Sequence, residues 1–170
     1  MSEYGDKVKK HYTEYGIREW QRLERYPYHQ LEFNTTMHFL KKYLPEKGNI
    51  LDAGGGPGRY TINLAKQGYR VTLLDCTHKL LEIAEQKIKE NGVQENVNQI
   101  IEGSIEDLSC FQDGEFDAVL CLGGPMNHLV EKEKRLAASS ELVRVAKVGA
   151  PLFISVIGRL AACMNAINQF

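Results

Sequence analysis

Residues 49–68 read NILDAGGGPGRYTINLAKQG. A short apolar run, Ile50 and Leu51, ends in an acid, Asp52. A glycine cluster follows at Gly54, Gly55, Gly56 and Gly58, and then an amphipathic stretch, 60–67, closed by Gly68. The order is strand, tight turn and helix, with glycine just past the helix end. Glycine costs backbone entropy, so a cluster needs a reason, and close approach of a ligand to the backbone is a common one. The dinucleotide fingerprint G-x-G-x-x-G/A, started at Gly54, finds Gly56 in place but Arg59 where the third small residue belongs. An acid at the strand end also repels a pyrophosphate. Asp52 suits a ligand with positive charge, such as an ammonium or a sulfonium.

Outward from this stretch the chain divides in two. Before it, the sequence reads as helices. Tyr4, Lys7, Val8, His11, Tyr12 and Tyr15 recur at helical spacing, and 17–25 makes a second short helix carrying Trp20 and Leu23. Pro27 breaks it. A third helix, from about Tyr28 to Tyr43, carries Leu31, Thr35, Phe39 and Tyr43 on one face. After the stretch, strands alternate with helices. Strands are predicted over 50–52, 70–75, 98–102, 116–122 and 152–157, and helices over 58–67, 78–91 and 131–146. VTLLD, DAVLCL and LFISVI are continuously apolar, which fits burial on both faces of a parallel sheet. Right-handed crossovers then give an α/β fold: a Rossmann-like, doubly wound, mostly parallel sheet.

The bulk numbers narrow the function. A chain of 170 residues, 43% apolar and 25% charged, has enough material for one domain with a real core. The formal net charge is −1, without the basic surplus usual for a nucleic-acid-binding domain. No apolar run is long enough to cross a bilayer, and the polar N-terminus has no signal-peptide core. Cys76, Cys110, Cys121 and Cys163 form no C-x-x-C pair and read as free thiols in a reducing compartment, so a cytoplasmic protein is expected.

The spacing Asp52-x-Gly54-x-Gly56-x-Gly58 resembles motif I of the class I S-adenosyl-L-methionine (SAM) methyltransferases. Over roughly 28–158 the further parts of that family appear in its order. Within it the chain is most similar to the ubiquinone/menaquinone-biosynthesis-type small-molecule group. Asp75 ends the second predicted strand, where an acid accepts hydrogen bonds from ribose hydroxyls. It also has the simpler reading of an acid near a helix N-terminus. The resemblance lays Cys76 against the adenine. GSIEDL, 103–108, resembles the family's adenine clamp G-D-A-x-x-L, with Ser104 at the Asp position, Glu106 as a substitute acceptor and Ile105 packed on the ring. FDAVLCLGGPMNHL, 116–129, resembles motif IV, which brings the backbone of Cys121, Leu122 and Gly123 to the methionine ammonium.

The resemblance also makes the N-terminal helices a lid over the cofactor. Tyr15, Trp20, Arg22 and Tyr28 then shape the acceptor pocket or dock the lid on the core, and Arg22 or Tyr15 binds the SAM carboxylate. Asn127 and His128 face the acceptor side. His128 is a candidate general base, or else a cap or pocket-lining histidine. No metal is expected: nothing acidic follows the fourth predicted strand until Glu131, and His11, His29, His38, His78 and His128 lack zinc spacing. Leu-Gly-Gly-Pro in motif IV departs from the [DNS]-P-P-[YFW] of enzymes that methylate nucleic-acid bases. The implied function is methyl transfer to a small molecule. A non-catalytic or partner-dependent SAM-binding module stays open, as does an RNA or protein methyltransferase.

The expected organisation is a helical lid over 1–47, a SAM-binding core over 48–158 and a helical segment over 159–170. The family's fold adds a strand hairpin beside strand five, and no sequence remains here for it. Strand five is then a long apolar edge. A second copy of the chain, the terminal helix, or a longer chain of which this is a fragment would cover it.

Overall fold

Near-continuous burial along three strands, Asn49–Ala53, Arg70–Asp75 and Ala118–Cys121, puts the sheet in the middle of the fold. The structure is a computed structural model that describes residues 3–158. Three helices, α1 (Glu3–Tyr15), α2 (Ile17–Arg25) and α3 (Pro27–Tyr43), lead into β1 (Asn49–Ala53). Then come α4 (Arg59–Lys66), β2 (Arg70–Asp75), α5 (His78–Glu90), β3 (Val97–Glu102), β4 (Ala118–Cys121), α6 (Lys132–Val145) and β5 (Leu152–Ile154). All pairings are parallel, in the order β3-β2-β1-β4-β5. The chain steps outward from β1 to β3 and then returns to place β4 on the other side of β1. That reversal is the switch point at which open α/β sheets bind ligands, beyond the carboxyl ends of the strands.

Odd and even strand residues feed two cores. Ile50, Val71, Leu73, Ala118 and Leu120 pack under α2, α3, α4 and α5, through Leu23, Leu40, Ile62, Leu64, Leu81 and Ile88 among others. Leu51, Ala53, Leu74, Val119 and Cys121 face the other way, against Ala138, Leu142 and Val145 of α6 and against Ile105, Leu108, Phe111 and Phe116. The expected Rossmann-like doubly wound sheet is the observed one.

Three details differ from the sequence expectation. Pro27 opens α3 as its first residue, where its missing N–H costs nothing. The stripe Leu31, Phe39 and Tyr43 is the exposed face of α3 rather than the docked one, Leu31 being 66% exposed. Phe33, Met37, Leu40 and Leu44 dock instead, with the Phe33 ring stacked on Tyr60 of α4 at 5.4 Å. Lastly, β4 and β5 are shorter than predicted. Phe116 forms an isolated bridge to Ala146, so β4 begins at Ala118.

β5 ends at Ile154 because the chain beyond it turns to hydrogen-bond the loop after β4. Ser155 Oγ accepts the Gly123 N–H at 2.8 Å. The Asn127 side chain donates to Ile157 O at 3.1 Å and accepts the Ile157 N–H at 2.8 Å. The long apolar edge is thus a three-residue strand. The predicted terminal helix over 159–170 lies outside the described residues.

Gly55 marks the tightest point of the turn after β1. A Cβ there would fall 2.5 Å from both Asp52 Oδ2 and Leu73 Cδ1. Gly55→Ala should therefore destabilise the fold by about 1–3 kcal/mol, the usual cost of overpacking, read as a lower urea midpoint. An unchanged midpoint contradicts this packing.

Candidate functional site

A cavity of about 610 Å³ opens at the switch point, floored by the β1–α4 turn and roofed by α1 and α2. The turn is held by its neighbour strand: Gly54 and Gly55 both donate their N–H to Leu74 O, at 2.7 and 3.2 Å. Gly54 has φ +78°, and a Cβ on it would lie 2.5 Å from Pro125 Cγ. Only glycine lets the loops after β1 and β4 come this close.

Asp75 joins the turn to the next helix. Its Oδ2 accepts the Gly56 N–H at 2.9 Å and its Oδ1 accepts the Thr77 N–H at 2.8 Å, two residues on. The carboxyl group lies on the cavity wall, 8% exposed. Burial raises its pKa, and the two N–H bonds pull against that rise. The Thr77 hydroxyl bonds the carboxylate as well, and lone-pair capacity remains for a further donor. The reading of Asp75 as an acid near a helix N-terminus describes these contacts.

Gly54, Gly55, Gly56, Asp75 and Cys76 line the cavity from the β1 and β2 ends. Ser104, Ile105 and Glu106 line it from beyond β3, and Leu122, Gly123 and His128 from beyond β4. Ser104 Oγ accepts the Glu106 N–H at 3.2 Å, which occupies that main-chain donor within its own loop. The Cys76 thiol is half-buried, and burial raises its pKa.

Asp52 is a correction. It is fully buried below the turn and does not reach the cavity. Its Oδ2 accepts both the main-chain N–H (3.2 Å) and the Oγ hydroxyl (2.7 Å) of Thr61, and Oδ1 has no partner among the described residues. It braces the first turn of α4 instead of facing a ligand. The Cys121 side chain is turned into the α6-side core, where burial pushes its thiol up to about 12, and of the predicted backbone stretch Leu122 and Gly123 line the cavity. Gly58, at φ +78°, caps α4 and stays off the wall.

The lid residues separate into two sets. Arg22 lines the cavity, and its guanidinium group comes within 3.5 Å of where a Gly123 Cβ would stand. Arg22 Nε donates to Glu19 at 2.8 Å, and Nη1 donates to Glu32 Oε2 at 3.2 Å. Burial opposes the Arg22 charge, but the two carboxylates outweigh it and raise its pKa. Trp20, Tyr15, Tyr28 and Asn127 are off the wall. Trp20 lies under the Arg59 guanidinium, 3.7 Å from its ring centroid. Arg59 also pairs with Glu24 at 2.6 Å and donates to Trp20 O. The residue that spoils the dinucleotide fingerprint is the clamp between α2 and α4. Tyr15 stacks on His11, and Tyr28 is exposed against Tyr26 and His29. Asn127 tethers Ile157, as described above.

Tyr12, Glu19, Thr77 and Leu80 also line the cavity, and nothing in the sequence marked them as site residues. Tyr12 and Glu19 flank the Gly16 break between α1 and α2, and local spacing says nothing about what a helix break turns inward. Tyr12 Oη lies 3.1 Å from His128 Nε2. Burial pushes the Tyr12 hydroxyl up to about 12 and lowers the His128 pKa, so this is a phenol beside a neutral imidazole.

Residues 50–149 match the family model for a methyltransferase domain. The chain is 34% identical over 143 residues to a ubiquinone biosynthesis O-methyltransferase of Xylella fastidiosa, covering 83% of this chain and 55% of that protein. A ubiquinone biosynthesis O-methyltransferase of Xanthomonas axonopodis pv. citri is 31% identical over 136 residues, with 80% and 54% covered. The chain spans about half the length of the curated relatives it matches. A SAM-dependent methyltransferase structure from Aquifex aeolicus superposes at TM-score 0.55 with 26% identity, over 65% of this chain and 57% of that one. The PH0226 protein from Pyrococcus horikoshii superposes at TM-score 0.70 over 85% of this chain and 65% of that one; at 22% identity this is a likeness of fold.

Asp52 makes folding pH-dependent in an unusual direction. Burial pushes its carboxyl up to about 6, the Thr61 bonds notwithstanding, whereas in the unfolded chain it titrates near about 4. Between these values the folded state holds a proton that the unfolded state has lost, so this contribution to stability declines as pH rises through the window. Above it the loss is complete, on the order of 3 kcal/mol. Asp52→Asn should remove the slope. Urea unfolding of wild type and variant from about pH 4 to pH 7 should diverge across the window and run parallel above it. Parallel profiles throughout contradict the assignment.

Proposed function

The chain belongs to the methyltransferase-domain family, and from that premise we propose that it binds SAM at the switch-point cavity and transfers the methyl group to a small-molecule acceptor. The observation that carries this reading is that Gly54–Gly56, the Asp75 carboxylate and the Arg22 guanidinium converge on one cavity. The chemistry of this set fits the cofactor. Asp75 accepts from the vicinal ribose hydroxyls with the lone pairs left free by Gly56 and Thr77. Leu80 and Ile105 give the adenine apolar surfaces, with Ser104 and Glu106 at its polar edge. Arg22 meets the methionine carboxylate through its Nη2 side, the guanidinium being already held by Glu19 and Glu32. The bare backbone at Gly54–Gly56 and Gly123 lets the amino-acid end lie against the main chain.

Bound SAM supplies a methyl group already activated on a sulfonium, so the protein need not provide a nucleophile. What the residues contribute is position and dryness. Holding the acceptor in line can account for roughly 7–11 kcal/mol of the barrier. The roof of α1 and α2, clamped by Arg59 on Trp20, covers one side of the cavity. A roofed cavity of about 610 Å³ suits a small acceptor rather than a polymer. The O-methyltransferase names of the Xylella and Xanthomonas relatives support the same choice.

Titration calorimetry tests this. S-adenosylhomocysteine (SAH) should bind and NAD should not. Asp75→Ala should weaken SAH binding about 10–100-fold, the worth of hydrogen bonds to a charged group. Arg22→Gln should weaken SAH but leave 5′-methylthioadenosine, which lacks the carboxylate, unaffected. Unchanged SAH affinity in Asp75→Ala sinks the ribose assignment. Equal losses of both ligands in Arg22→Gln sink the carboxylate assignment.

A further inference from the structure

The contact between Tyr12 and His128 joins the lid to the core directly over the cavity. Tyr12 lies on α1, and His128 ends the short 3-10 turn Pro125–His128 after β4. Their rings meet edge to face at 5.5 Å, with Oη 3.1 Å from Nε2. Both side chains line the cavity. The cofactor reading needs neither of them. Val8 of α1, with Leu129 and Val130 beyond the turn, adds apolar surface to a wall that also carries charged side chains.

We propose that Tyr12 and His128 form a proton relay that takes the proton of a hydroxyl-bearing acceptor, Tyr12 touching the acceptor and His128 holding the proton. The proposal rests on the methyltransferase reading above and adds the acceptor class to it. Phenols and enols keep their proton at neutral pH, and the oxygen must lose it as it gains a methyl group. The acceptor oxygen gives its proton to Tyr12 Oη while the Tyr12 proton moves to His128 Nε2. The oxygen lone pair forms the new C–O bond as the methyl–sulfur bond breaks, its electron pair staying on sulfur. The products are a methyl ether, a neutral thioether and an imidazolium at His128, which then gives its proton to water. An amine acceptor arriving uncharged, or a thiolate, has no use for this pair.

The relay is complete only with α1 in place, so removal of the proton is tied to exclusion of water. The direction of transfer fixes the tautomer: Nε2 accepts from Tyr12 and Nδ1 carries the ring proton. His11 of α1 is the ionisable group that acts on the imidazole. The same cavity is lined by Lys9 and Tyr12 of α1, Glu19 and Arg22 of α2, Arg59 of α4, Asp75 and Cys76 at the end of β2, Glu102 and Glu106 at the end of β3, and Glu131 and Lys134 at the start of α6. Glu131 and Lys134 are paired with each other at 3.5 Å. Burial and the neighbouring His11 keep His128 neutral, the state the relay requires.

The first test needs no turnover. In ¹⁵N NMR of the whole chain, with the resonance assigned by His128→Asn, His128 should show the Nδ1-protonated tautomer. Tyr12→Phe should raise its pKa toward the ordinary value, because the lost bond favoured the neutral ring. An Nε2-protonated ring, or a titration indifferent to Tyr12→Phe, overturns the relay. The second test offers SAM with catechol or 4-hydroxybenzoate as hydroxyl probes, benzylamine as amine and thiophenol as thiol. A hydroxyl probe should be methylated. Tyr12→Phe and His128→Asn should each lower kcat about 100-fold while KM and SAH affinity hold within about twofold. The acid limb of the wild-type pH profile, where His128 gains its proton, should vanish in His128→Asn. Methylation of benzylamine or thiophenol alone, no transfer to either hydroxyl probe in protein that binds SAH, or full rates in the variants overturns the proposal. Loss of SAH binding in the wild type fails the cofactor reading instead, and the relay falls with it.

Discussion

The Asp75 carboxylate is the junction on which the site depends. One oxygen holds the glycine turn after β1 through Gly56, and the other holds the start of α5 through Thr77. Two strand ends are thereby fixed relative to each other by a single side chain. A buried carboxylate is costly unless its oxygens are satisfied, and here two main-chain donors and the Thr77 hydroxyl do this while leaving lone-pair capacity for a ligand. Asp52, one strand over, does the complementary task below the turn by bracing Thr61. One acid faces the cavity and the other is sealed beneath it.

Above this floor, the lid is held by cations set on aromatic and acidic partners. Arg59 sits on Trp20 and reaches Glu24, which pins α2 to α4. Arg22, from the same helix, turns the other way, into the cavity, between Glu19 and Glu32. Two arginines on opposite sides of one interface thus divide the labour: one anchors the roof, and the other presents charge to whatever lies under it. Guanidinium suits both tasks, since it stacks through its face and donates through its edge.

Much of the fold was legible because burial writes itself into strands. Arg70–Asp75 and Ala118–Cys121 are buried on both faces and read as continuous apolar runs. The glycine turn was legible because Gly54 and Gly55 have no room for a side chain. The docking face of the third helix was not, since PYHQLEFNTTMHFLKKY carries two apolar stripes and spacing does not choose between them. Packing chose Phe33, Met37 and Leu40, which meet Tyr60, and left Leu31, Phe39 and Tyr43 outside. Asp52 was misplaced for a related reason: a motif gives position along a strand, not whether the side chain faces the cavity or is sealed beneath the turn. The Tyr12–His128 contact spans 116 positions. No local pattern encodes it, because it depends on how the whole lid is seated.

The central claim is that one cofactor site is assembled at the switch point from four separate segments of the core together with Arg22 of the lid. Hydrogen–deuterium exchange with and without SAH tests it most directly. The account requires slower exchange together in peptides over 54–58, 75–80, 103–106 and 122–128, with the outer face of α3 unchanged. No protection in these segments, or protection confined to α3, would contradict it.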